Sequence, residues 1–205
     1  FSRSFFNDVQ FDGCGDRHIP EALYVVFQMM FACITPLLMT GAYAERLAWG
    51  PFVLFTVAWE VCVYYPVAHW MWAPTGWLAN LGAQDFAGGI VIHTTAGVSS
   101  LVVVAILGRR EQFDKYHGEF PYSSLPTAAM GATLLWTGWF GFNGGSALAA
   151  NAVAIRAVVN SQIGAVTSAC TYMAIVYHQS GHPSTIAVMN GAIAGLAGVT
   201  PASGY

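Results

Sequence analysis

The amino-acid sequence predicts an all-α membrane protein, a polytopic bundle with six transmembrane helices in this chain. Of its 205 residues, 56% are hydrophobic and only 8% are charged, and the mean hydropathy is positive at +0.53. A soluble domain carries about 25% charged residues, so this chain lacks the charged surface that water requires. The charges also cluster and leave long uncharged runs, and about 20 apolar residues suffice for a helix to cross the bilayer.

The uncharged runs locate the helices in order. Residues 22–44, 61–84 and 86–108 contain 23, 24 and 23 residues without a charge, and Arg156 separates two further runs of 36 and 49 residues. Polar or proline-containing patches interrupt these last runs. We therefore predict helices at residues 21–43, 51–70, 85–107, 124–145, 151–176 and 184–200. Residues 1–20 would form an extracellular segment, and residues 21–205 would form part of a transmembrane domain.

Basic residues favour one orientation of the bundle, because Arg and Lys near helix ends stay cytoplasmic. Six alternating helices place Arg46 and the stretch GRREQFDK, residues 108–115, on the same side. Arg3, Arg17 and Arg156 fall on the other side. The compact basic stretch predicts that this loop is cytoplasmic. The net charge of −3 lacks the basic excess of nucleic-acid-binding proteins, so no nucleic-acid partner is expected.

Three ionisable residues lie at membrane depth, where a charge is costly and is kept mainly for function. They are Glu60, Asp85 and His93. In DFAGGIVIH, Asp85 opens the predicted third helix and His93 follows eight residues later, on the same face and about 12 Å along the axis. Asp85 is read either as an N-cap for free backbone N–H groups or as an organiser of an entrance.

For His93, two interpretations remain open: a hydrogen-bonded core imidazole, or a side chain that lines a pathway for a small polar molecule or a proton. A metal site is not expected. His178 and His182 are four residues apart, but Gly181 and Pro183 break a helix, so we expect both histidines in the loop after the fifth helix.

Aromatic residues gather at the predicted outer end of the helices. Phe27 and Phe31 share one helix face, and Trp72 lies in HWMWAPTGW. The segment WFGFNGGS places Trp139, Phe142 and Ser146 at helical spacings of three and four. Such residues form either the interfacial aromatic belt or a vestibule that attracts a small cation to ring faces and a hydroxyl. Small residues four apart, Gly141 with Gly145 and Gly191 with Gly195, predict close helix contacts.

The chain resembles the ammonium transporter family of Amt, Mep and Rh proteins, and the Amt and Mep branch more than Rh. Its motifs are FQMMFACITP with GAYAER, PVAHWMW, DFAGGIVIHTTAG, LLWTGWFGFNGGSA and NGAIAGLAGVTP, in that order. The resemblance runs from Ile19 to Pro201 and implies a multi-pass plasma-membrane protein with about eleven helices in two inverted halves. This chain would supply the third to eighth. The family also implies a homotrimer without enzymatic activity, cofactor or metal.

The family implies a role for each matching residue. Trp72 and Ser146 would recruit ammonium, with Phe27 nearby; Phe31 and Phe142 would form a gate; Asp85 would organise the vestibule; His93 would be the first of two pore histidines; Trp139 would line the pore. The implied mechanism removes a proton from the recruited cation, passes ammonia through an apolar pore and relays the proton along histidines. The second histidine would lie beyond Tyr205.

Other interpretations stay open. An ammonium sensor would bind the ion in the same fold and signal through an attached cytoplasmic domain. A Rh-type protein for ammonia or carbon dioxide is disfavoured by Trp72. The partners expected are ammonium or ammonia, the lipid bilayer, further copies of the chain and, as an additional candidate, a cytoplasmic regulatory protein. Glu60 departs from the apolar or small residue expected in the family, and we expect it to pair with a neighbouring helix or lie at a trimer interface.

Overall fold

The computed structural model describes residues 9–13, 18–111, 113, 115 and 123–205, and every regular element in these ranges is helical. Six long segments follow one another. They are α1 (Glu21–Leu38), α2 (Trp49–Trp59, Glu60–Tyr64 and Tyr65–Trp72 in succession), α3 (Gly89–Thr94, then Thr95–Leu107), α4 (Leu125–Gly145), α5 (Ala152–Ser180) and α6 (Thr185–Val199). Single turns lie at Thr40–Tyr43, Trp77–Asn80 and Thr200–Ala202. The predicted six helices are confirmed.

Four segments are apolar and long enough to cross a membrane: Glu21–Tyr43, Trp49–Asn80, Gly89–Leu107 and Thr185–Ala202. The other two, α4 and α5, have the length but a lower hydropathy. Glycine and tryptophan lower it in α4, and polar residues such as Arg156, Asn160 and Gln162 lower it in α5. Asn160 donates to the carbonyls of Ser203 and Tyr205 at 2.9 and 3.3 Å, so this polar group is satisfied within the bundle.

The third helix begins at Gly89, four residues later than predicted. Residues 85–88 form a turn before it, and Gly88 has a left-handed conformation with φ of 99° that glycine adopts without steric cost. The predicted α-helical face shared by Asp85 and His93 is therefore wrong. Asp85 precedes the helix, and the Gly89–Thr94 turn that carries His93 is π-helical rather than α-helical.

The fifth helix is longer than predicted and continues to Ser180. Gly181 ends it in the left-handed conformation, with φ of 74°. His178 consequently lies in the last turn of α5, and its predicted place in the following loop is wrong. His182 lies beyond the helix end, as expected.

A π-helical turn also interrupts α2 at Glu60–Tyr64. Pro66 follows it, and a proline inside an α-helix lacks an N–H and clashes with the carbonyl four residues before. The wider turn relieves this conflict and brings Glu60 close to the side chains of Tyr64 and Tyr65.

Glycines allow α5 and α6 to form the most extensive helix contact of the described residues. A Cβ atom added to Gly195 would lie 2.2 Å from the Gly164 carbonyl oxygen, and one added to Gly191 would lie 2.7 Å from the Cβ of Tyr172. This predicted pair is confirmed. The predicted close helix contact through both Gly141 and Gly145 is wrong: a Cβ added to Gly145 would lie 3.1 Å from the Phe27 ring, but one added to Gly141 would have no heavy atom within 4 Å.

The loops after α1 and α3 meet at one end of the bundle. The guanidinium of Arg46 donates to the carbonyls of Ala42 and Gly108, and the guanidinium of Arg110 lies 4.0 Å from the Glu45 carboxylate. Arg46 thereby neutralises the partial negative charge at two helix ends.

Arg156 lies at the opposite end, where it donates to the Gly204 carbonyl at 3.4 Å. Arg3 and Arg17 fall outside the residues that the structure describes, as do most of residues 1–20. The extracellular segment and the inside-outside orientation stay predictions.

Candidate functional site

The carboxylate of Asp85 caps the first turn of α3. Its Oδ1 accepts the N–H groups of Gly88 and Gly89 at 2.9 and 2.7 Å, and its Oδ2 accepts those of Ile90 and Val91 at 2.8 and 3.1 Å. These are the donors that a helix start leaves without an internal partner. The side chain is buried, and the four bonds give both carboxylate oxygens hydrogen-bond partners. The prediction that Asp85 satisfies free backbone N–H groups at the start of this helix is confirmed, although the N-cap position itself is Gly88.

Three contacts fasten the turn that contains this cap. The indole Nε1 of Trp72 donates to the Asp85 carbonyl at 3.0 Å, and the Phe86 N–H donates to the Pro201 carbonyl at 2.9 Å. The Pro201 ring also lies against Gly89, where an added Cβ would come within 2.3 Å of it. The ends of α2 and α6 therefore hold the start of α3.

Four rings from three helices form an aromatic cluster, which we define as Phe27, Phe31, Trp72 and Phe142. Ring centroids are 4.7 Å apart for Phe27 and Phe31 and 4.6 Å apart for Phe31 and Phe142. Phe31 and Trp72 are separated by 5.7 Å. All three contacts are edge-to-face, the arrangement that ring quadrupoles favour. Phe31, with 3% of its surface exposed, is the centre of the cluster.

Ser146 lies one turn beyond Phe142, at the end of α4. Its hydroxyl donates to the Phe142 carbonyl at 2.8 Å. A hydroxyl has one proton and two acceptor lone pairs, so toward a further ligand Ser146 acts as an acceptor. Phe27 contacts the neighbouring Gly145, which brings the first helix to the same place.

His93 stacks on two of the predicted aromatic residues. Its ring centroid lies 5.2 Å from that of Trp139 and 5.9 Å from that of Phe142, with interplanar angles of 28° and 19°. Its Nε2 is buried and has no hydrogen-bond partner among the described residues. Among the described residues, His93 is therefore not a fully hydrogen-bonded core imidazole.

A cavity of about 630 Å³ adjoins both the aromatic cluster and His93. Five predicted site residues line it, together with aliphatic side chains and small residues: Phe27, Phe31, His93, Trp139 and Phe142, with Met30, Ile34, Leu38, Gly131, Leu134, Leu135, Gly138 and Gly141. The Asp, Glu, Lys and Arg residues of the described chain are absent from this lining. Trp72, Asp85 and Ser146 lie outside it.

Two buried hydrogen bonds behind this wall involve residues that the sequence did not single out. Trp139 Nε1 donates to the Thr200 hydroxyl at 2.9 Å, and Asn143 Nδ2 donates to the Ser161 hydroxyl at 2.8 Å. They join α4 to the end of α6 and to α5. A Thr before a proline and a Ser in a helix interior carry no distinctive sequence signal, since both commonly bond their own helix.

No group of three or more His, Cys, Asp or Glu side chains suited to a metal ion occurs among the described residues. His178 and His182 are both exposed.

Comparison with known sequences decides the family. The profile of the Ammonium Transporter Family matches residues 1–205, the whole chain. The chain belongs to the ammonium transporter family. Members of this family are multi-pass integral membrane proteins and not enzymes.

Individual ammonium transporters agree with this assignment. Ammonium transporter 1 of Dictyostelium discoideum is 57% identical over 205 residues, which are 98% of this chain and 44% of that protein. The crystal structure of Candida albicans Mep2 superposes with a TM-score of 0.90 at 38% identity, covering 100% of this chain and 46% of Mep2. A structure titled Sensor Amt Protein gives a TM-score of 0.80 at 31% identity, covering 90% of this chain and 48% of that one.

The chain thus spans about half the length of the ammonium transporters it matches. Glu60, the residue that departs from the expected family pattern, is outside the cavity lining and lies beside Tyr64 and Tyr65 of its own helix.

Proposed function

We propose that the full-length protein transports ammonium across the plasma membrane, and that this chain supplies one wall of the pathway. The observation that carries the proposal is the position of His93. Its imidazole lines an apolar cavity directly behind the aromatic cluster and retains a nitrogen without a partner among the described residues. An ionisable residue at membrane depth is expected to serve function.

Recruitment is the first step. The faces of Trp72 and Phe27 would attract the cation by about 0.5 to 2 kcal/mol per ring. Ser146 would accept a hydrogen bond from it, because the hydroxyl proton is already donated to Phe142. Asp85 would act indirectly by holding the turn at the mouth, since its two carboxylate oxygens already accept four backbone N–H groups.

Passage beyond the aromatic cluster is the second step. Phe31 and Phe142, with centroids 4.6 Å apart, would be the gate that must open for each molecule. The apolar lining would then favour neutral ammonia, because an unpaired cation pays a large desolvation cost there. Trp139 would form part of the wall.

Proton transfer is the third step. An imidazole donates from one nitrogen and accepts at the other, which suits a relay, and His93 would be its first member. A second histidine is expected on a later helix, beyond Tyr205. Potassium has no proton to release, so this mechanism excludes it.

The proposal extends to the assembly. Residues 21–205 would form the third to eighth transmembrane helices of a subunit that assembles as a homotrimer. Residues 1–20 would lie outside the cell, and a cytoplasmic regulatory protein would be a further partner. Ammonium or ammonia and the lipid bilayer would be the other partners.

The test is the current evoked by an ammonium pulse on liposomes that contain the full-length protein. We expect current with ammonium, none with potassium, and loss or altered selectivity in His93→Ala. Robust potassium current would contradict the mechanism.

A sensor is the second candidate, favoured by the likeness to the structure titled Sensor Amt Protein. Saturable ammonium binding without any current in the same liposomes would establish that alternative.

A further inference from the structure

Three side chains from three helical segments contact one another in series, of which Thr200 and Trp139 are buried and His93 is half-buried. The Thr200 hydroxyl accepts the indole N–H of Trp139 at 2.9 Å, and the indole stacks on the His93 ring with centroids 5.2 Å apart. We propose that Thr200 is a positioning residue for His93: its hydroxyl fixes the Trp139 indole, and the indole sets the plane of the imidazole beside the cavity. This role rests on the proposed transport function.

The direction of the Thr200 hydrogen bond is determined by its neighbours. The Thr200 hydroxyl donates its single proton to the Leu196 carbonyl at 2.7 Å, so only its lone pairs can face Trp139. The indole nitrogen is a donor only. The indole N–H must therefore be the donor and the Thr200 oxygen the acceptor, and the indole cannot rotate without leaving its N–H unpaired.

Burial makes this bond a strict constraint. Thr200 has 0% of its surface exposed and Trp139 has 6%. Water cannot replace the hydroxyl in such a place, and an unsatisfied buried donor is costly. The indole thus has a single favoured orientation, and the His93 ring that stacks on it is held in a nearly parallel plane.

The turn Thr200–Ala202 also contacts the backbone at the start of the helix that carries His93. Pro201, the next residue, accepts the Phe86 N–H at 2.9 Å and lies against Gly89 at the start of α3. The end of α6 therefore contacts both the helix that bears His93 and the indole that stacks on its ring. Thr200 is suited to holding the two in register.

A purely structural role makes a different prediction. A threonine hydroxyl commonly bonds the carbonyl four residues before it, and Thr200 would then serve only to finish α6. Loss of the hydroxyl would lower thermal stability without altering how protons or ammonia pass.

The experiment compares Thr200→Val, which keeps the shape and loses the hydroxyl, with Thr200→Ser, which keeps the hydroxyl. Full-length variants in liposomes receive ammonium pulses from pH 5 to pH 8. We expect Thr200→Val to lower the current about five- to tenfold, which is the effect of losing one buried hydrogen bond. We also expect it to alter the pH profile of the current. Thr200→Ser should restore both. Thr171→Val is the matched control, because the Thr171 hydroxyl donates to the Thr167 carbonyl of its own helix.

A second pair tests the route through the indole. Trp139→Phe keeps a ring against His93 but removes the N–H, and Thr200→Val in that background should lower the current no further. An additional loss would overturn the proposal, as would a wild-type pH profile in Thr200→Val or failure of Thr200→Ser to restore it. If Thr200→Val does not assemble, Trp139→Phe removes the same hydrogen bond from the other side.

Structure determination of Thr200→Val separates this inference from the proposed function. If the wild-type protein carries no current, transport fails as a function, while a changed His93 ring plane in the variant would still support the positioning role. An unchanged stack of His93 on Trp139 would overturn it.

Discussion

Trp72 donates its indole N–H to the main-chain carbonyl of Asp85 at 3.0 Å, across the turn that starts α3. The proposed cation-recruiting ring and the proposed organiser of the mouth are thus one unit. A change at either residue acts on both the aromatic cluster and the first turn of α3.

Replacement of Asp85 by Asn should destabilise the protein by about 1 to 3 kcal/mol, the cost of losing bonds to a charged group. The amide would put an NH₂ group opposite two of the four backbone N–H groups. Thermal unfolding of the full-length protein measures the change. Asn151→Ala is the control, because Asn151 caps α5 from an exposed position with two N–H bonds. An equal loss in both variants would show that Asp85 is an ordinary cap.

Substitutions at Trp72 should separate its two contributions. Trp72→Leu removes both the ring face and the N–H, and the half-saturating ammonium concentration should rise about 2- to 30-fold. Trp72→Phe keeps a ring face, so the rise should be smaller. Concentration series of the ammonium current give both values. Trp77→Leu, at an exposed ring that contacts Trp70, should leave the value unchanged. Equal half-saturation in wild type and Trp72→Leu would remove Trp72 from recruitment.

Gly195→Ala should destabilise the α5 and α6 pair by about 1 to 3 kcal/mol, because the new methyl group would overlap the Gly164 carbonyl. Gly198→Ala is matched to it, since Gly198 lies one turn later with no heavy atom within 4 Å of an added Cβ. Melting temperatures in detergent measure both. Similar melting temperatures for the two variants would mean that the helix pair adjusts to the methyl group.

Glu60→Gln should leave the ammonium current within about twofold of wild type, the usual limit for a substitution outside a critical contact. Glu60 is outside the cavity lining, and glutamine preserves its shape. The current and the assembled state are measured together. Loss of conduction in a normally assembled protein would assign Glu60 a role in transport.

The sequence predicts the helices well because each helix that crosses the bilayer needs a long run of uncharged residues, and such runs are visible in the sequence. It fails at the start of α3, where Asp85 caps from outside the helix and Gly88 makes a left-handed turn. The π-helical segments are equally invisible, since they arise from a local compromise around residues such as Pro66 rather than from hydrophobic period.

Some residues of the candidate site could likewise be predicted from the sequence, and others could not. Resemblance to a family places Phe31, Phe142 and His93, and the structure brings them together. Thr200 escapes notice because its proposed role depends on a partner 61 residues away in the chain. Pairings between distant segments have no local signature.

Arg46 joins the turn Thr40–Tyr43, which follows α1, to the end of α3, and this contact bears on how the proposed gate would open. One guanidinium thus links the turn that follows the Phe31 helix to the helix that carries His93, which favours movement of the two helices as one body. Opening of the proposed gate would then rely on rotation of the rings themselves. Side-chain rotation takes picoseconds to nanoseconds at exposed sites, whereas collective helix motion takes about microseconds to milliseconds. Phe31 is buried, so its ring would turn more slowly than an exposed one, and under the proposed mechanism this rotation, not a rocking helix, would time passage.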